Sequence, residues 1–210
     1  MPTLLLIRHG ENHFVGKRLA GRLPGVHLND RGRQQAQIIA DRLAKAPITA
    51  IYSSPLERAM ETAAPLAEAK GIEIRLLPGV MEVDYGEWQN RTLKQLRRFR
   101  LWKQVQQSPS QMRFPSGESL LEVQQRAVAA LEQIASQHEE KELIAVFSHG
   151  DVIRLVTAHY LLMPLDAFQR LGTDTAALTV LIFAKNGVFL PKINQSFDFE
   201  WHEAGEEKKK

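Results

Sequence analysis

One pattern, used twice, constrains this chain more than any other: a short apolar run that ends in His-Gly. Leu4-Leu5-Leu6-Ile7 passes directly into Arg8-His9-Gly10, and Leu143-Ile144-Ala145-Val146-Phe147 passes into Ser148-His149-Gly150. Runs this short, with no polar alternation, read as strands buried on both faces, as in a parallel sheet covered by helices. A third run, Ile48 to Tyr52, leads through Ser53-Ser54-Pro55 to Arg58.

Helical patterns fill the intervals. Asn29 caps a helix whose apolar positions Ala36, Ile39, Ala40 and Leu43 share one face. Ser54 as cap, Pro55 at the first helical position and Glu57 three after the cap predict a second helix with Arg58 in its first turn. Gly71 ends that helix, and Ile72 to Leu77 are expected as a strand. A helix from Thr92 to about Gln106 and a longer one opened by Ser119 follow, the latter with Val123, Ala127, Ala130, Leu131 and Ile134 on one face. Val152, Leu155 and Val156 mark a further helix that Pro164 ends, before strands near Leu178–Phe183 and Val188–Ile193. Strands alternating with helices predict an α/β protein, a three-layer α/β/α sandwich with a mostly parallel central sheet. No linker divides the chain, so the expectation is a single domain over residues 1–204 and a charged tail at 205–210.

Composition narrows the chemistry. With 210 residues, 44% of them hydrophobic, the chain can bury one substantial core. It has no cysteine, which excludes disulfides, thiolate zinc sites and cysteine nucleophiles. The first apolar run lacks a basic leader and is too short for a signal or a span, so a cytoplasmic protein with no membrane association is expected. Lys94, Arg97, Arg98, Arg100 and Lys103 alternate with Leu96, Phe99 and Trp102 as on the outer face of an amphipathic helix, and no nucleic-acid partner is expected from them. No ligand spacing such as HExxH calls for a metal, and no cofactor is expected.

In open α/β sheets the ligand crevice lies beyond the carboxyl ends of the strands. Parallel strands would therefore bring Arg8, His9, Arg58, His149 and Gly150 to one edge. A cation in the first turn of a helix opposes the helix dipole, so Arg58 there suggests a compensating anion. Two arginines, two histidines and a helix N-terminus describe an oxyanion pocket, with a phosphate monoester as its guest.

Five segments, LLLIRHGEN, SSPLERAMET, MEVDYGEW, SGES and VFSHGDVIR, together resemble the histidine phosphatase superfamily, the group that includes phosphoglycerate mutases. The resemblance covers almost the whole chain and implies a phosphoglycerate mutase-like fold. It implies that Arg8 is a phosphate ligand, His9 the nucleophile, Arg58 and His149 further phosphate ligands, and Glu82 the proton donor. Gly150, Gly21 and Arg22 are further candidates for the phosphate side. The chain departs from the family pattern at Val15, where an asparagine is common, and at Asn90, where a glycine is common. Lys17, Arg18 and Arg22 can supply the polar group that Val15 lacks, and they suggest a substrate with a second acidic group or a solvated loop. Phe14, Tyr85, Trp88 and Trp102 suit either an apolar lid or the core.

The chemistry is coherent in its own right. Neutral His9 attacks phosphorus, the cations neutralise the equatorial oxygens, and Glu82, its pKa raised, protonates the leaving oxygen. The expected activity is that of a metal-independent phosphomonoester hydrolase, a histidine acid phosphatase-type phosphomonoesterase, using a phosphohistidine on a small phosphorylated metabolite. The alternatives are a phosphoglycerate mutase-type phosphomutase and a non-catalytic phosphate-binding protein of the same fold. The modest length between Trp88 and Gly117 favours hydrolysis, because mutases of this family carry a longer insertion that closes the site. A monomer or homodimer is expected.

Overall fold

The computed structural model of the chain describes residues 2–197, so residues 198–204 of the expected domain and the tail at 205–210 lie outside the described residues. Strands β1 (Thr3–Arg8), β2 (Ile48–Ser53), β3 (Ile74–Leu76), β4 (Leu143–Ser148), β5 (Leu178–Ala184) and β6 (Gly187–Gln195) form a six-stranded sheet in the order β3-β2-β4-β1-β5-β6. The first four strands run parallel, and β5 and β6 add an antiparallel edge.

Period-two alternation divides the side chains of the central strands between two cores. Leu4 and Leu6 of β1 and Ile144 and Val146 of β4 face one core, built with helices α5 (Leu120–Ser136) and α6 (Gly150–Tyr160). Leu5, Ile7, Ala145 and Phe147 face the other, built with α1 (Asp30–Leu43) and α2 (Glu57–Lys70). Both faces of the sheet are thus covered, which is why these strands carry no polar alternation. The three-layer α/β/α expectation holds.

Register fixes the site. Arg8 pairs with Ser148 and Ser53 with Phe147, so β1, β2 and β4 end level with one another. Two hydrogen bonds carry the ladders past the strands: His9 N–H donates to the Ser148 carbonyl at 3.0 Å and Ser54 N–H to that of Phe147 at 2.9 Å. Because β4 lies between β1 and β2, the α1 connection crosses over it, and the three carboxyl ends meet at this reversal of strand order.

Three local expectations need correction. The capping box at Ser54 does not form: α2 begins at Glu57, with Leu56 as its cap in extended conformation. The hydroxyl of Ser54 is drawn instead to His149, and the carboxylate of Glu57 accepts the Gly25 N–H at 2.9 Å. The strand expected over Ile72–Leu77 is shorter, Ile74–Leu76.

The helix expected from Thr92 to Gln106 is two, α3 (Leu93–Leu96) and α4 (Arg100–Gln107), separated where Phe99 is extended. The apolar residues Leu93, Leu96, Phe99, Trp102 and Val105 recur every third position. On one continuous helix such a stripe drifts by roughly 60° per step, and a break resets its phase so that the row can face the core.

Candidate active site

A cleft of about 220 Å³ opens at the ends of β1, β2 and β4, lined by Arg8, His9, Arg58, Glu82, Gly150 and Asp151 among others. Of the residues expected from sequence, Arg8, His9, Gly21, Arg58, Glu82 and Gly150 line this cleft, His149 lies buried behind His9, and Arg22 is turned away.

His9 is buried at the end of β1. Its Nδ1 lies 2.7 Å from the Gly10 carbonyl oxygen, which can only accept, so Nδ1 carries the proton. Burial, then Arg58 and Arg8, hold the His9 pKa well below the usual histidine value. A neutral ring with its proton on Nδ1 has a lone pair on Nε2. Gly10 itself is fixed by its N–H to Thr62 Oγ1 at 2.9 Å, and a Cβ there would sit 2.6 Å from the Gly32 carbonyl oxygen. Glycine is therefore required by the close packing of this turn against α1.

Arg58 is 1% exposed, an unusual place for a charge. Its Nη2 donates to the Gly21 carbonyl at 2.8 Å, while Arg8 Nη1 donates to the Thr173 carbonyl. Among the described residues, Nε of Arg8 and both Nε and Nη1 of Arg58 are buried without a hydrogen-bond partner. Buried donors are rarely left so, and three of them on two cations describe a place for an anion. Burial lowers the pKa of both arginines from the usual value, and Glu82 opposes that shift. Gly150 leaves room for this arrangement, since a Cβ there would lie 3.2 Å from the Arg8 guanidinium carbon.

His149 is fully buried behind His9, ring centroids 5.2 Å apart. Its Nε2 lies 2.8 Å from Ser54 Oγ, and its Nδ1 has no partner among the described residues. Burial and then Arg58 keep this ring, too, well below the usual histidine pKa.

Glu82 brings a carboxyl to the cleft beside that of Asp151, and its pKa is raised to about 7, first by desolvation and then by Asp151. Its Oε1 accepts the Val83 N–H at 3.0 Å. The Glu82 backbone is held from outside the cleft: Arg22 Nε and Arg126 Nη2 donate to its carbonyl at 3.0 and 3.1 Å. Glu118 joins those two arginines, accepting from Arg22 Nη2 at 2.8 Å and from Arg126 Nε at 2.9 Å, and it also accepts the Asp84 N–H at 3.0 Å. Arg22 is turned away from the site. It does not line the cleft, because its guanidinium is taken up by Glu118 and the Glu82 carbonyl. Gly21 does line it, with φ +54° and its carbonyl on Arg58. Arg18 lines the cleft with its guanidinium turned to Asn90. The aromatics Tyr85 and Trp88 are core-buried.

Sequence reasoning missed Asp151 and Arg154, joined at 3.1 Å across the first two turns of α6, and the Tyr85 hydroxyl that donates to Asp151 at 2.7 Å. A signal existed: one turn after a strand-end histidine, both positions must stay near the same edge. Ser54, Glu118 and Arg126 carry no such local signal, since their partners are distant in sequence.

Known proteins resemble this chain over most of its length. The model of the histidine phosphatase superfamily (branch 1) matches residues 4–196. The chain is 30% identical over 202 residues to phosphoserine phosphatase 1 of Hydrogenobacter thermophilus, covering 92% of each chain. It is 35% identical over 157 residues to phosphoglycerate mutase-like protein 4 of Arabidopsis thaliana, covering 72% of this chain and 67% of that one. Among solved structures, mycobacterial glucosyl-3-phosphoglycerate phosphatase superposes with a TM-score of 0.84 at 26% identity, covering 92% of this chain and 99% of the other.

Proposed function

This chain belongs to the histidine phosphatase superfamily (branch 1), and from that premise we propose that it hydrolyses phosphate monoesters through a phosphohistidine on His9. One observation carries the proposal: a buried neutral histidine, proton committed to the Gly10 carbonyl, beside two cations with unpartnered donors.

The ester's phosphoryl group rests on Arg8 and Arg58, whose charges offset those of its equatorial oxygens. The lone pair on His9 Nε2 attacks phosphorus in line, forming the P–N bond as the P–O bond to the alcohol breaks. Glu82, protonated below its raised pKa of about 7, gives its proton to the departing oxygen. Water then attacks phosphorus and passes a proton to the Glu82 carboxylate. The P–N bond breaks, its electron pair returns to Nε2, and phosphate leaves. In this reading Ser54 Oγ donates to His149 Nε2, which keeps the His149 proton on Nδ1 as one more donor to the phosphoryl oxygens.

The relatives named for phosphoserine and for glucosyl-3-phosphoglycerate support a small phosphorylated substrate. Radiolabelled ester quenched in alkali should leave phosphate on wild-type protein in an acid-labile, base-stable linkage and none on His9→Ala. Steady release of phosphate without isomerisation of 3-phosphoglycerate separates a hydrolase from a mutase. Equal turnover by His9→Ala would overturn the proposal.

A further inference from the structure

Beside the phosphate cleft lies a second hollow of about 290 Å³. The two share Leu19, Tyr85, Asp151 and Arg154, so they are the two ends of one depression. The second is the more apolar of the two. The second is walled by Trp88, Trp102, Val105, Phe114, Leu120 and Phe168. Trp88 anchors the wall, with ring centroids of Phe114, Phe99 and Trp102 at 5.3, 5.7 and 6.2 Å. The break between α3 and α4 puts Phe99 against Trp88 while Trp102 and Val105 line the hollow.

At the threshold the charges face each other. Asp151 accepts from both Arg154 Nη1 and the Tyr85 hydroxyl, so its carboxylate is matched before any ligand arrives. Arg154 keeps one buried donor, Nε, without a partner among the described residues, and the aromatic hollow behind this threshold favours an apolar guest. Continuity with the phosphate cleft says what that guest is attached to.

We infer that this hollow is the subsite for the alcohol portion of the substrate, and that the preferred substrates are phosphate monoesters of apolar, chain- or ring-bearing alcohols. The inference rests on the phosphomonoesterase reading above and adds the substrate class to it. The occupant is the leaving alcohol, held with its oxygen near Glu82 and its carbon skeleton past Tyr85 among the rings.

Ethyl, butyl, hexyl and 3-phenylpropyl phosphates test this, because their alcohols are of similar acidity and only apolar reach varies. kcat/KM should rise about threefold per added methylene, following the transfer of apolar surface from water. The 3-phenylpropyl ester should exceed ethyl phosphate by roughly a hundredfold on the same basis. Trp102→Ala should lower the phenylpropyl-to-ethyl ratio about tenfold by removing an aromatic wall. Gln106→Trp, an exposed change at the rim, should lower the same ratio by obstruction, which guards against a misfolded Trp102 variant. A flat series, a ratio unmoved by either variant, or a clear preference for phosphoserine or 3-phosphoglycerate would overturn the inference while leaving the hydrolase intact. No turnover of any ester, with no label on His9, would remove the hydrolase reading itself.

Discussion

The two ends of the depression are made in different ways. The phosphate end is assembled from strand termini: Arg8 and His9 follow β1, Arg58 follows β2 by one short turn, and His149 follows β4. Each is held by backbone carbonyls or by neighbours fixed by the sheet's own register. The alcohol end is assembled from α4, the starts of α5 and α6, and the segments between elements, where side chains rather than strand ladders set position. A parallel sheet can thus place the phosphate chemistry while leaving the neighbouring wall to other elements.

The sharpest break at the phosphate end is His9→Ala, expected to cut kcat/KM by about 10⁵-fold or more, since it removes the nucleophile. Phosphate release under single-turnover conditions checks it. Next comes Arg58→Ala, which should lower kcat by roughly 10³-fold through loss of charge stabilisation in the transition state. It also strands the Gly21 carbonyl, so thermal unfolding should shift downward, a loss of about 1–3 kcal/mol for a buried unpaired acceptor.

Glu82→Gln probes the boundary between the two ends. Alkyl phosphates should slow by about 10²-fold, while aryl phosphates, whose leaving oxygens need little protonation, should be nearly unaffected. The pH profile carries the same sign. Glu82 acts as an acid only when protonated, so kcat for alkyl esters should fall above its pKa of about 7, and Glu82→Gln should abolish that descending limb. His9 stays neutral well below the ordinary histidine pKa, so it should impose no acid limb near pH 6.5.

The smallest effect is expected at Glu118→Gln. Losing that charge loosens Arg22 and Arg126 on the Glu82 carbonyl, and kcat for alkyl esters should drop about tenfold with KM little changed. The descending pH limb should move to lower pH as Glu82 gains water. A merely structural role for Glu118 would lower stability without moving that limb.

The same division governs what is legible in the sequence. Arg8, His9 and His149 are legible because unbroken apolar runs betray buried parallel strands, and such strands share one carboxyl edge. Arg58 is legible as a cation next to a strand end, although the capping box that places it does not form: Ser54 serves His149, not the helix. Arg22 misleads because a basic residue in a glycine-rich loop looks alike whether it meets a ligand or a half-buried glutamate. The single helix expected over Thr92–Gln106 fails because its stripe recurs every third residue, a period close to the helical one but not equal to it. The alcohol end is least legible, since Trp88, Trp102, Phe114 and Phe168 come together only through tertiary packing.

The clamp on Glu82 has one further consequence. It joins distant parts of the chain, with Arg22 separated by 60 residues from Glu82 and by 96 from Glu118. Proton donation is thus a gauge of tertiary order. A slight undocking of α5 is felt at the acid, through Arg126, before it reaches the strand ends that carry the nucleophile. Alkyl and aryl esters would then report separately on the same molecule, the first on whether the outer helix is seated, the second on whether the sheet is whole.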